Sequence, residues 1–93
     1  MSEWYRVLVP DAGIGDASAN GLEARLYKEY RDAERPDGLD VYYCREEGSN
    51  YVFFFSKKAK AFADAANLLR GYVATECTEL PNRSDLKKMF PPE

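Results

Sequence analysis

The chain of 93 residues contains 45% hydrophobic and 31% charged side chains and has a formal net charge of -3. This length allows one modest core and excludes a second domain, and the mixed composition is typical of a folded chain. We therefore expect a single domain over residues 1–93, with residues 81–93 as a C-terminal tail. The negative net charge argues against nonspecific phosphate binding.

Histidine is absent from the sequence, which excludes histidine-based catalytic dyads and mixed histidine–cysteine zinc sites. The two cysteines, Cys44 and Cys77, are far apart and form no CxxC pair, which favours reduced thiols over a disulfide. The first residues lack a signal-peptide pattern, and no stretch is long and apolar enough to span a membrane. We expect a cytoplasmic protein without membrane contact, metal or other cofactor.

The first third of the chain predicts a strand followed by a helix. Residues 4–9 are rich in aromatic and β-branched side chains, which is typical of a strand. Residues 11–18 contain two glycines and predict a loop. Apolar side chains at helical spacing then predict a helix over residues 20–34. Pro36 and Gly38 end this helix and turn the chain.

The middle of the chain predicts a hairpin followed by a second helix. Residues 39–45 and 50–56 are strand-like runs separated by a four-residue turn. Ser56 is a suitable N-cap for a helix over residues 57–70, which Gly71 would end.

The end of the chain predicts an edge strand and a helical tail. Residues 72–80 are strand-like but more polar, as an edge strand tends to be. Residues 82–90 predict one helical turn capped by Ser84, before two prolines end any helix. This turn would lay three apolar side chains on the domain: Leu86, Met89 and Phe90.

The order of these elements predicts an α+β fold, a ferredoxin-like βαββαβ two-layer sandwich. It would have a four-stranded antiparallel sheet in the order 4-1-3-2, two helices on one face and a short C-terminal helical tail. Cys44 and Cys77 would then lie on opposite edge strands, too far apart for a disulfide.

Apolar side chains occur on both faces of the predicted strands, so the sheet face without helices would remain apolar. A few aromatic side chains on it would expose a patch of roughly a few hundred Å². The tail, a second copy of the chain or a foreign ligand would cover this patch, and the sequence leaves all three open. The predicted binding residues are Tyr42, Tyr43, Tyr51, Phe53 and Phe55.

The first functional hypothesis is a small non-enzymatic interaction module that forms a homodimer or docks on a protein partner through this aromatic face. The alternative is a pocket over the sheet that binds or acts on a small hydrophobic or aromatic ligand. Tyrosine hydroxyls and Arg6 or Arg45 would orient that ligand. No carboxylate pair converges as acid–base catalysis requires, so we assign no catalytic residue.

A third hypothesis is binding of single-stranded nucleic acid. The alternation of Tyr51 and Phe53 on the third strand, with Tyr5 on the first, resembles the base-stacking face of RNA-recognition-motif domains. Residues 49–55 lack the basic and glycine positions of that motif. Residues 1–56 also carry 6 basic and 11 acidic side chains, whereas base stacking needs an electropositive floor. The sequence therefore argues against nucleic acid as the partner.

Lys57, Lys58 and Lys60 lie in the first turn of the second predicted helix, where they oppose the helix dipole. Together with free backbone N–H groups they could hold an anion. The alternative is that these lysines are solvated and paired with Asp64 or with acidic residues of a neighbouring subunit.

Overall fold

The computed structural model describes residues 3–10, 19–45 and 50–90 and has an α+β fold. The predicted loop at 11–18 and the hairpin turn at 46–49 lie outside these residues. In chain order the elements are β1 (Trp4–Pro10), α1 (Ala19–Asp32), β2 (Val41–Arg45), β3 (Asn50–Ser56), α2 (Lys57–Ala65), β4 (Ala74–Cys77) and β5 (Lys87–Lys88). The five strands form one antiparallel sheet in the order β4-β1-β3-β2-β5.

The main core lies between one face of the sheet and the two helices. Because side chains alternate along a strand, every second residue of the three central strands points towards the helices. Leu22 and Leu26 of α1, and Ala59 and Ala63 of α2, are buried against that face. The buried strand residues they cover are Val7, Val9, Val41, Phe53 and Phe55.

Helix α2 ends at Ala65, well before the predicted end at residue 70. Asn67 takes a left-handed conformation (φ 58°), which asparagine tolerates better than most residues. Its N–H donates to the Asp64 carbonyl at 3.0 Å, and the Leu68 N–H donates to the Ala63 carbonyl at 2.8 Å. These two bonds form a Schellman cap, which satisfies carbonyl groups that would otherwise lack partners.

After β4 the chain crosses the sheet face that is turned away from the helices. β4 and β5 lie at opposite edges of the sheet, so residues 78–86 must span its width. Four strand spacings amount to about 19 Å, and nine extended residues reach about 30 Å. Leu80 and Leu86 of this segment pack with three residues of the face beneath it: Cys44, Val52 and Phe54.

The last described residues return to the helix side of the sheet. The Met89 N–H donates to the Val41 carbonyl at 2.8 Å, next to the short pairing of β5 with β2. Met89 is 0% exposed and Phe90 is 7% exposed. The Phe90 ring stacks on Tyr30 with ring centroids 4.4 Å apart and meets Tyr27 edge-on at 5.2 Å. Met89 and Phe90 therefore close the core beside α1.

The predicted four-stranded ferredoxin-like sandwich with a helical C-terminal tail is wrong. Residues 82–90 contain no helix, and part of them forms β5, which gives the sheet a fifth strand. An isolated helical turn is costly to nucleate, whereas pairing with the free edge of β2 satisfies backbone groups of both strands.

Both cysteines are free thiols, and Cys44 is buried. None of the described helices is long and apolar enough to cross a membrane.

Truncation of Met89 tests whether the chain end belongs to the core. We expect Met89→Ala to lower the free energy of unfolding by about 2–4 kcal/mol, because it removes a fully buried side chain. Met89→Leu keeps the apolar volume and should cost less than about 1.5 kcal/mol. Urea unfolding followed by circular dichroism measures both changes. Equal, small effects of the two substitutions would contradict the packing of Met89 beneath the helices.

Candidate ligand-binding cleft

The structure divides the five predicted binding residues between the two faces of the sheet. Tyr43, Tyr51, Phe53 and Phe55 lie on the helix side, and Tyr42 lies on the other side. Phe53 is 1% exposed and Phe55 is 0% exposed. Their rings are core residues in this arrangement, so a partner could contact them only if the helices moved away.

The aromatic rings on the helix side form a row that reaches the surface at one end. Phe53 stacks on Phe55 at 6.3 Å and on Tyr43 at 5.7 Å between ring centroids. Tyr43 and Tyr51 are only partly buried and pack against the edge of the core. Part of each of these two rings can therefore be reached by solvent.

Beside these rings lies a cleft of about 260 Å³. It is located at the end of the β2–β3 hairpin, between α1 and the segment that leads into β5. Its floor is aromatic and its rim carries charges of both signs. The cleft is lined by Glu23, Tyr43, Cys44, Arg45, Tyr51, Phe53, Asp85 and Lys87.

Two basic side chains border the cleft. The guanidinium of Arg45, at the end of β2, lies 5.3 Å from the centroid of the Tyr51 ring, within the range of a cation–π contact. Lys87 of β5 is directly opposite Tyr43 of β2. Residues directly opposite each other in an antiparallel pair have side chains on the same face. Lys87 therefore lies on the helix side of the sheet, next to the aromatic floor.

Asp85 is held at the rim by Arg83. The Arg83 guanidinium donates to both carboxylate oxygens of Asp85, at 2.9 and 2.8 Å, and to the Arg45 carbonyl at 2.9 Å. This arrangement ties the segment before β5 to the end of β2. Asp85 and Glu23 are the two carboxylates of the cleft. Within residues 3–10, 19–45 and 50–90, no three His, Cys, Asp or Glu side chains cluster as a metal site would require.

The hydroxyl of Tyr43 is held in its neutral form. Burial raises the pKa of Tyr43 above its ordinary value of 10.0, and the nearby Glu23, Tyr27 and Tyr51 raise it further. Both causes disfavour the phenolate, because it would be poorly solvated and repelled by negative charge. At neutral pH the group is a phenol that can both donate and accept a hydrogen bond.

Of the three lysines predicted as an anion site, Lys57 and Lys58 border one pocket, whereas Lys60 does not line it. The Lys58 ammonium donates to the Asp37 carbonyl, and Lys60 forms an ion pair with Asp64 while lying 5.0 Å from the Tyr5 ring centroid. Lys57 is exposed. The predicted pairing with Asp64 is thus confirmed for Lys60.

Tyr42 belongs to the opposite face of the sheet. Its ring meets Trp4 edge-on at 5.6 Å, and the Lys88 ammonium lies 5.9 Å from its centroid. Lys88 also pairs with Asp40 at 3.4 Å. Arg6, which the sequence suggested as a ligand-orienting residue, also lies on this face, because its register partner is Phe54. Neither Tyr42 nor Arg6 contributes to the cleft.

Sequence reasoning missed three of the four charged residues of the rim. Tyr51, Tyr43 and Arg45 were candidates because they lie on one aromatic hairpin. The three that were missed come from α1 and from a segment predicted to be helical: Glu23, Asp85 and Lys87. No sequence spacing links these elements, so only the paths of the chain could bring them together.

A tyrosine titration tests the environment of Tyr43. The difference between the wild type and Tyr43→Phe in absorbance at 295 nm should show one tyrosinate forming above pH 10.0. Because folding raises the pKa of Tyr43, the contribution of this group to the free energy of unfolding is fully present below its pKa in the unfolded chain. This contribution is lost as the pH rises through its pKa in the folded protein. Glu23→Gln should lower the pKa of Tyr43, since it removes a carboxylate that repels the phenolate.

Glu29→Gln is the matched control, because it removes a carboxylate of α1 that does not line the cleft. An equal shift for both glutamine variants would contradict a local effect of Glu23 on Tyr43.

No protein-family model matches the chain, and no curated protein or solved structure is significantly similar to it.

Proposed function

We propose that the protein binds a small aromatic compound that carries a carboxylate, in the cleft between α1 and β5. One observation supports this most directly. The rings of Tyr43 and Tyr51 border a cleft beside Lys87, whose ammonium has no hydrogen-bond or ion-pair partner in the described part of the chain. A flat apolar surface next to an unpaired cation is complementary to an aromatic acid.

The size of the cleft limits the ligand. Pockets for drug-sized molecules usually measure about 300–1,000 Å³, and this cleft measures about 260 Å³. A compound with one ring and one or two short substituents fits this volume.

The charges of the cleft define an orientation for such a ligand. Its ring would stack against Tyr43 or Tyr51, and its carboxylate would face Lys87 and Arg45. Asp85 is already paired with Arg83, so it repels the carboxylate less than a free aspartate would. At the other side of the cleft, the Glu23 carboxylate would accept a hydrogen bond from an amine or hydroxyl of the ligand.

The cleft supports binding better than catalysis. Cys44 borders the cleft, but its side chain is buried on the opposite face of the sheet, and Tyr43 keeps its proton at neutral pH. Neither group is therefore a ready nucleophile or base. Because Lys87 is exposed, its ion pair with a ligand would contribute less than about 1 kcal/mol, so we expect weak affinity for a one-ring compound.

A titration with 4-aminobenzoate, followed by amide chemical shifts in NMR, tests this function. We expect saturable shifts around the cleft with a Kd of about 1 mM. Lys87→Ala should weaken binding about fivefold, because the carboxylate loses its ion pair. Lys88→Ala is the matched control. It removes the neighbouring lysine of β5, which contacts Tyr42 on the opposite face, and should leave the Kd unchanged.

Two related probes separate the contributions of the ligand's carboxylate and amine to the affinity. Aniline lacks the carboxylate and should bind the wild type more weakly than 4-aminobenzoate, with no further loss in Lys87→Ala. Benzoate lacks the amine and should lose only the contact with Glu23. Shifts outside the cleft, or equal Kd values for Lys87→Ala and the wild type with 4-aminobenzoate, would refute the proposed site.

A further inference from the structure

The two edges of the sheet differ in how they are protected from pairing with another strand. β5 has only two residues, and both are lysines, which discourage further strand pairing. β4 has four residues, Ala74–Cys77, with neither lysine nor proline among them. It pairs with β1 on one side, and no strand among the described residues pairs with its other side.

An exposed apolar residue adjoins this edge. Val73, directly before β4, is 80% exposed, more than Leu8 at 46%. Strand periodicity places Val73 on the same face as Thr75 and Cys77, the face turned away from the helices. Cys77 already packs there beside Trp4 in the smaller apolar cluster. The edge thus offers both backbone groups and apolar surface.

We propose that β4 pairs antiparallel with β4 of a second copy, so that two five-stranded sheets join into one sheet of ten strands. A two-fold axis at Thr75 gives a self-complementary register. Ala74 of each copy is then opposite Glu76 of the other, and Val73 is opposite Cys77. Each exposed valine is covered by the apolar cluster of the other copy.

Charge favours a second copy in the antiparallel orientation and argues against one competing register. Arg70 precedes β4 and Glu79 follows it, so antiparallel pairing brings the positive end of one copy to the negative end of the other. Parallel pairing would place like charges together at both ends. A two-fold axis at Glu76 would set two glutamates directly opposite each other, which is destabilising.

The joined edge is short, so the dimer is weak. Pairing of four-residue strands buries less than the roughly 1,200 Å² of stable interfaces, and we expect a Kd of the order of 0.1–1 mM. Self-association would then occur at the β4 edge and not at the aromatic face that the sequence predicted. It does not depend on the ligand-binding cleft, which lies beside β2 and β5.

Sedimentation equilibrium between about 10 µM and 1 mM tests the proposal. We expect the wild-type mass to rise from 10.6 kDa towards twice that value as concentration increases. Thr75→Lys should weaken the dimer at least about tenfold, because the two new charges are opposite each other across the axis. Thr78→Lys is the matched control. It adds the same charge just beyond the strand, away from the axis, and should weaken the dimer less.

A mixing experiment tests the register itself. Thr75→Glu alone should also be monomeric, but an equal mixture of Thr75→Lys and Thr75→Glu should dimerise again, because opposite charges then meet at the axis. Thr75 is exposed, and its register partner on β1 is Arg6, so Thr75→Lys costs some stability whereas Thr75→Glu does not. Amide NMR spectra of dilute samples check that both variants keep the fold. A wild type that stays monomeric up to 1 mM, or a mixture that stays monomeric, overturns the proposal.

Discussion

Four consecutive residues of the central strand β3, from Val52 to Phe55, are buried. Since neighbouring side chains of a strand point to opposite faces, this strand is apolar on both faces, and both faces must be covered. The two helices cover Phe53 and Phe55. The remaining chain after β4 has to cover Val52 and Phe54, and this requirement determines where the C-terminal part of the protein goes.

The course of residues 78–86 follows from that requirement. Leu80 and Leu86 cover the second face, and the chain arrives at the free edge of β2, where β5 forms. Met89 and Phe90 then turn back under the helices, so one segment contributes to both apolar clusters. Their burial couples residues 87–90 to the core, because truncation of either side chain would leave a cavity on the helix side.

The same connection builds the proposed cleft. It carries Lys87 to a position opposite Tyr43, while Arg83 joins Asp85 to the end of β2. The cleft therefore lies where the segment that leads into β5 meets the solvent-accessible end of the aromatic row. The proposed dimer strand, β4, lies at the opposite edge of the sheet. β5 blocks one edge with lysines and leaves β4 as the edge available for pairing.

Local chemistry in the sequence determined the α+β class, the limits of β3, the Ser56 cap and the aromatic character of the hairpin. The Ser56 side chain accepts the Ala59 N–H at 3.3 Å, as an N-cap does. These features depend on neighbouring residues, so patterns of period two, helical spacing and capping reveal them. Tertiary structure decided the fifth strand and the charged rim of the cleft. Both depend on contacts between segments that are distant in sequence. Residues 82–90 have no strong local preference for helix or strand, so they take the conformation that buries Leu86, Met89 and Phe90. Which conformation does so depends on the rest of the core.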